Sequence, residues 1–492
     1  MGKKPSFLWD RQVEKNGFIH GERYYLDPQH QNIPLNNKNF HPPSPHVPLE
    51  YDIFIGLPSY RDGKRCGFTI WTAFSRAHNA LRLQIGVVDQ IDSGDVECIN
   101  EYCKLAQKTW PDDDQCRYKN QITIDLRDAK KSTGPIGARV DLHKLIKEEE
   151  FCLVMDSHMQ FIPDWDKYLV EDWKKTGNEM AVLSVYPTGY ETIGPGLKQP
   201  ISQTRHNCYF AHDTLRTIPD FGAILIDDSQ QPQMGAFIGA GFQFSKCHAQ
   251  TRVPLDAKLK WVFLGEEYLR SMQLWTQGYD IYSPSRLGHV VFHDETPKDQ
   301  TTRNGSYVEN ESRSATYSLE LEMSLNRMRS QLSIPYDGAI DLSDINEYYP
   351  PKVRSLEKYL NFSGVSLKDL ALDTWPCKQL HWVPYDNPKP IEQFLPNYKM
   401  ESPIIIQENT ESTIIVHENT KNPIIVQENK TSALILNGRV YDRMWEIQSE
   451  YCEAFALLVV AICVSAFFLT RRKCRRPEKV YELVSTEVEQ VE

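Results

Sequence analysis

The sequence predicts an α/β domain built on a mainly parallel sheet, and two observations predict it. Short apolar runs bounded by turn residues recur at 52–57, 83–88, 151–155 and 180–185, as expected of buried strands. Between them, apolar residues fall at helical spacing over 69–81 and 165–175, and a charged helix ends over 144–150. Strands separated by helices pair in parallel, because each crossover carries the chain back to the end of the sheet from which the strand began. Ligands of such sheets sit past the carboxyl ends of the strands.

Composition narrows the function classes. Of 492 residues, 40% are hydrophobic and 25% charged, with 24 Tyr, 20 Phe and 10 Trp, enough core material to exclude global disorder. The net charge of −11 argues against a nucleic-acid partner, which needs a basic face. The 11 cysteines are too sparse for a disulfide scaffold. Cys98, Cys103 and Cys116 lie close together without an obvious fourth zinc ligand, so buried thiols or one disulfide are expected.

Along the chain, residues 1–48 form a polar arm, Pro-rich near its end, and 49–300 the main domain. The N-terminus lacks an apolar signal segment; Gly2 with Ser6 fits a loose myristoylation pattern or an unmodified arm. Residues 301–396 read as a helical appendage with a helix at 319–332. Residues 397–440 hold a period-ten repeat, with units such as Ser402-Pro-Ile-Ile-Ile-Gln-Glu-Asn-Thr-Glu411, and read as a stalk or short β-meander, with a partner-binding module as the alternative. Residues 452–470 are expected to span a membrane: the uncharged run 454–469 is about 24 Å long as a helix, and Arg471, Arg472, Lys473, Arg475 and Arg476 follow it. Residues 471–492 are a charged tail, in which Cys474 is a palmitoylation candidate or a free thiol.

The chemistry concentrates at strand ends. Asp156-Ser157-His158 closes the apolar run 151–155. In extended chain, residues two apart point the same way, so Asp156 and His158 can share one divalent cation; a solvated strand end is the plainer reading. His293 ends another apolar strand and is a candidate third ligand or a solvated histidine. Glu266 and Glu267 open a helix, where they complement its dipole or orient a sugar or acceptor hydroxyl. Gly239 and Gly241, in a Gly-rich segment that is no dinucleotide fingerprint, suit close backbone approach to a sugar.

Taken in order, these segments resemble glycosyltransferase family 60, the polypeptide N-acetylglucosaminyltransferases. The resemblance rests on Ile53-Phe-Ile-Gly-Leu-Pro-Ser-Tyr-Arg-Asp62, Gly134-Pro-Ile-Gly-Ala-Arg139, Met155-Asp-Ser-His-Met159, Phe237-Ile-Gly-Ala-Gly-Phe242, Phe263-Leu-Gly-Glu-Glu267, Leu274-Trp-Thr-Gln-Gly-Tyr279 and Arg354-Ser-Leu-Glu-Lys-Tyr-Leu360. It covers about residues 50–370. It implies a GT-A fold, UDP-N-acetylglucosamine (UDP-GlcNAc) as donor, and manganese or another divalent cation as cofactor. It further implies retaining transfer to a hydroxyl of a protein acceptor, on hydroxyproline, Thr or Ser. Carried over, Asp156, His158 and His293 hold the metal. Pro58, Ser59, Tyr60 and Arg61 border the nucleotide, Arg139 lies near the diphosphate, and Glu266 and Glu267 face sugar and acceptor. The Gly-Pro-Ile-Gly-Ala-Arg block departs from the family's more usual Cys-Trp at its centre. The rival readings are an inactive membrane-tethered carbohydrate- or protein-binding module and a UDP-sugar hydrolase.

Topology is pulled two ways. The basic block after the span favours a lumenal body, and Asn304, Asn310, Asn361 and Asn429 stand in glycosylation sequons. The absence of an N-terminal export signal and the span's place near the C-terminus favour a tail-anchored, single-pass protein facing the cytosol. That cytosolic arrangement is the expectation, with the lumenal one as its alternative.

Overall fold

Eight strands form one twisted sheet at the centre of the computed structural model, in the order β3-β2-β1-β4-β10-β6-β11-β9. The structure describes residues 26–400 except 27, 114–115, 201–202, 213–217, 228, 296–309, 311–313, 370–371 and 375–376. In chain order the elements are β1 (Ile53–Tyr60), α1 (Gly63–Ser75), β2 (Leu83–Ile91), α2 (Cys98–Thr109), β3 (Ile122–Asp128) and α3 (Pro135–His143). Next come β4 (Phe151–Met155), β5 (Met159–Phe161), α4 (Trp165–Lys175), β6 (Ala181–Ser184), β7 (Gln203–His212), β8 (Pro219–Asp227), β9 (Gln233–Gly235) and β10 (Phe242–Lys246). The chain continues with α5 (His248–Arg252), α6 (Glu266–Thr276), β11 (Asp280–Ser283), β12 (Val291–His293), α7 (Tyr317–Gln331), α8 (Ile345–Tyr348), α9 (Leu356–Ser363) and α10 (Lys389–Phe394).

The sheet is parallel-rich, as expected: β3, β2, β1 and β4 run parallel, as do β6 and β11. β10 is inserted antiparallel between β4 and β6, and β9 is antiparallel to β11. Every residue of β4 is buried, which explains its unbroken apolar run, since both of its faces are covered. Helix α1 buries Cys66, Ile70, Ala73 and Phe74, one stripe at helical spacing.

Several boundaries differ from the expectation. β1 does not stop at Pro58 but continues to Tyr60, with Pro58 opposite Val88 on β2. β4 pairs with β1 only as far as Gly56, so the missing proline N–H leaves no gap on that side. Helix α1 starts at Gly63 rather than near 69, and Gly63 packs against the Val96 carbonyl, where a Cβ would lie 1.7 Å away. The charged segment 144–150 is not helical.

The cysteines differ most from the expectation of buried thiols or one disulfide. Among the described residues there are four disulfides: Cys66–Cys98, Cys103–Cys116, Cys152–Cys247 and Cys208–Cys377. The Cys98, Cys103 and Cys116 group is thus divided between two bridges and is no zinc site.

The segment read as appendage shares the main core, and the segment read as arm packs onto the main domain. Gln31 hydrogen-bonds the Met234 N–H and Pro232 carbonyl, and Leu26 packs with Cys208, Ile224, Ile226 and Cys377. Val353, Tyr359, Trp382 and Tyr385 belong to the same cluster as the sheet residues. Among the described residues no helix is long and apolar enough to cross a membrane. The apolar run 454–469, the ten-residue repeat and Gly2 lie outside the described residues.

Candidate functional site

The site gathers past the carboxyl ends of β1 and β4, where the sheet topology predicts it. β4 delivers Asp156 directly. The Asp156-Ser157-His158 turn is pinned by Thr69 of α1, whose hydroxyl accepts the Met159 N–H and donates to the Ser157 carbonyl, both at 2.8 Å. β5 then pairs with β12, placing His293 opposite Met159. The His293 N–H is held by the Thr188 carbonyl at 2.8 Å. These restraints bring the His158 and His293 Nε2 atoms to 3.0 Å, and the ligand atoms of Asp156, His158 and His293 lie within 4.8 Å of one another. Burial first, and then the neighbouring His158, hold the His293 imidazole below its ordinary pKa, favouring the neutral ring that binds a metal. Cis ligands of an octahedral cation, each at about 2.1 Å, stand about 3 Å apart. Two imidazole nitrogens and a carboxylate, part-exposed on one side, therefore fit a divalent cation with open positions.

Arg139 reaches this cluster from α3. One guanidinium nitrogen meets Glu266 Oε1 at 2.7 Å and another meets Asp156 Oδ1 at 3.2 Å. Burial opposes the charged guanidinium, but Glu266, Asp156 and Glu267 outweigh it, and its pKa is raised. Arg139 is thus tied to carboxylates in this arrangement, beside the place expected for a diphosphate. Glu266 and Glu267 are partly buried at the start of α6, so they are more than exposed complements to a helix dipole. Burial raises the Glu266 carboxyl, against the pull of Arg139. Glu267 accepts the Ala240 N–H at 2.6 Å and the Tyr186 hydroxyl; burial nevertheless pushes its carboxyl up to about 7.

Both glycines lie tight against neighbouring protein. A Cβ on Gly241 would stand 2.8 Å from Asp156 Oδ2, and one on Gly239 would stand 2.9 Å from the Val185 carbonyl oxygen. They allow close packing of protein on protein, and Gly241 makes room for Asp156. At the end of β1, Ser59 is buried. Arg61, at φ 50°, turns back to fork Asp95 at 2.7 and 3.1 Å. Pro58 and Tyr60 are half-buried beside them. The sequence reading missed Asp62, Arg65, Thr69 and Tyr186. Tyr186 follows the strand run 180–185, so the strand-end rule that found Asp156 could have found it too.

The family model for Glycosyltransferase (GlcNAc) matches residues 52–111 and 103–369, more than half of the chain. The chain belongs to this glycosyltransferase family. The matched span carries every member of the cluster described above. No curated protein matches the sequence. Among solved structures, this GlcNAc glycosyltransferase chain is similar to GalNAc-T7 with UDP, GalNAc and Mn2+, at 13% identity and TM-score 0.40, covering 64% of this chain and 57% of that one. It thus spans little more than half the length of that protein. It is also similar to the mannosyltransferase PcManGT from Pyrobaculum calidifontis with GDP-Man and Mn2+, at 10% identity and TM-score 0.34, covering 66% and 74% of the two chains. A third is S. aureus TarS 1–349 with UDP-GlcNAc, at 13% identity and TM-score 0.29, covering 57% and 73%.

Proposed function

We propose that this glycosyltransferase has a GT-A catalytic domain and moves N-acetylglucosamine from UDP-GlcNAc to a hydroxyl of a protein acceptor, with retention at the sugar carbon and a manganese ion as cofactor. The observation that carries the reading is the convergence of Asp156, His158 and His293 past the sheet, backed by Arg139, Glu266 and Glu267. A divalent cation held there supplies Lewis-acid stabilisation to a diphosphate leaving group. Asp156 is oriented for that role by Arg139 on one oxygen and by the space above Gly241 on the other. Glu266 fixes Arg139 from the far side, and Glu267 keeps the Tyr186 hydroxyl directed into the site. On this reading Pro58, Ser59, Tyr60 and Arg61 border the nucleotide. Retention without a paired nucleophile is consistent with same-face attack, in which the leaving phosphate takes the acceptor proton.

The test is mass spectrometry of UDP-GlcNAc turnover by the full chain, with and without manganese. Turnover should require the ion, and Asp156→Ala should reduce it to background with the fold intact. Full activity in EDTA would sink the reading.

For location, we propose a single-pass protein anchored by residues 452–470, with the body on the lumenal side. Four disulfides in residues 66–377 support an oxidising compartment. The basic block after the span supports a cytosolic tail. Both favour the lumenal alternative over the cytosol-facing expectation.

A further inference from the structure

Asp62 immediately precedes α1, yet its carboxylate makes no capping bond to the helix. An aspartate at this position ordinarily caps N–H groups of the first turn. Here the carboxylate is almost fully buried and turned aside. Arg65 grips it with Nε at 2.8 Å from Oδ1 and Nη2 at 2.6 Å from Oδ2. The same guanidinium extends Nη1 to within 3.4 Å of the Asp294 carbonyl, next to His293. Held this way, Asp62 Oδ2 faces His158 Nδ1 at 3.3 Å. That nitrogen is shielded from solvent and makes no hydrogen bond of its own, while Nε2 of the same ring points at His293.

We propose that Asp62 is a positioning residue for the metal centre: it fixes the His158 ring with Nδ1 protonated, so that Nε2 is the free donor. The inference rests on the metal reading of Asp156, His158 and His293. A ring nitrogen can bind a cation only through its lone pair, so the proton of a neutral imidazole must sit on the other nitrogen. A buried carboxylate facing Nδ1 selects that tautomer and fixes the ring's rotation. Arg65 keeps the carboxylate aimed. Thr69, on the same helix, holds the backbone of the ligand turn. One helix therefore sets both the position of His158 and the rotation of its ring.

The experiment titrates manganese into the full chain in detergent, following the free-ion signal by electron paramagnetic resonance, for the parent protein and Asp62→Asn. Thermal unfolding in EDTA monitors the fold. Asp62→Asn should weaken manganese binding by roughly 10–100-fold, with Asp62→Glu closer to the parent. A purely structural role would lower the unfolding temperature and leave manganese affinity unchanged, which overturns the proposal. If the parent binds no manganese, the metal reading itself falls. Should Asp62→Asn fail to fold because Arg65 is orphaned, the Asp62→Asn/Arg65→Met pair removes both charges and is read by the same titration.

Discussion

Gly241 shows how a single hydrogen atom can set the geometry of a site. A methyl group there would meet Asp156 Oδ2 at 2.8 Å, and the carboxylate would have to rotate away from His158 and His293. Gly241→Ala should therefore weaken manganese binding and lower turnover by about tenfold or more, with the unfolding temperature nearly unchanged. Metal titration beside calorimetry checks this. Glu267 gives a second expectation. Its carboxyl lies near 7 in the folded chain against an ordinary 4.5. Between those pH values the folded chain binds more protons than the unfolded one, so this group's contribution falls as pH rises through the window and is level above it. Glu267→Gln removes that loss. Relative to the parent it should gain up to about 3 kcal/mol between pH 4.5 and 7, measured by chemical denaturation at each pH. At this scale the convergence of Asp156, His158 and His293 was legible, because each ends an apolar strand. Asp62 was not singled out, because its role depends on which residues stand opposite it.

Elements read well where their own periodicity determined them. Helix α4 spans 165–175 as expected, since Trp165, Leu169, Val170 and Trp173 form its buried stripe. The disulfides were illegible because pairing is a tertiary fact: β4 and β10 become neighbours only in the sheet, and their register places Cys152 one residue short of the strand end from which Cys247 follows. Cys208 on β7 finds Cys377 across a separation of 169 residues. A bridge closing so long a loop removes much freedom from the unfolded chain. Replacing the pair by serine should cost about 2–5 kcal/mol. The check is the unfolding temperature of Cys208→Ser/Cys377→Ser against the parent, where no loss would mean that the hairpin β7–β8 is held by packing alone.

For the whole molecule, the lumenal proposal makes a site-by-site forecast. Asn361 is exposed on α9, whereas Asn310 is buried and donates its amide to the Ala129 and Ser132 carbonyls at 2.9 and 3.0 Å. Glycopeptide analysis should find a glycan on Asn361 and none on Asn310, and the body should resist protease in sealed microsomes. An unmodified Asn361 together with a protease-sensitive body would return it to the cytosol. The sequence boundary near residue 300 is equally a tertiary matter. Arg354 is fully buried, paired with Asp280 at 2.9 Å and stacked near Trp275, Trp382 and Tyr385. The body is thus closed by contacts far apart in the chain, and that has a consequence in time. A ribosome adds about 5–20 residues per second, so Cys208 waits roughly 8–34 s for the partner made 169 residues later. Throughout that interval its thiol is open to premature partners among the cysteines already made. Maturation of this chain should therefore depend on an enzyme that reshuffles disulfides.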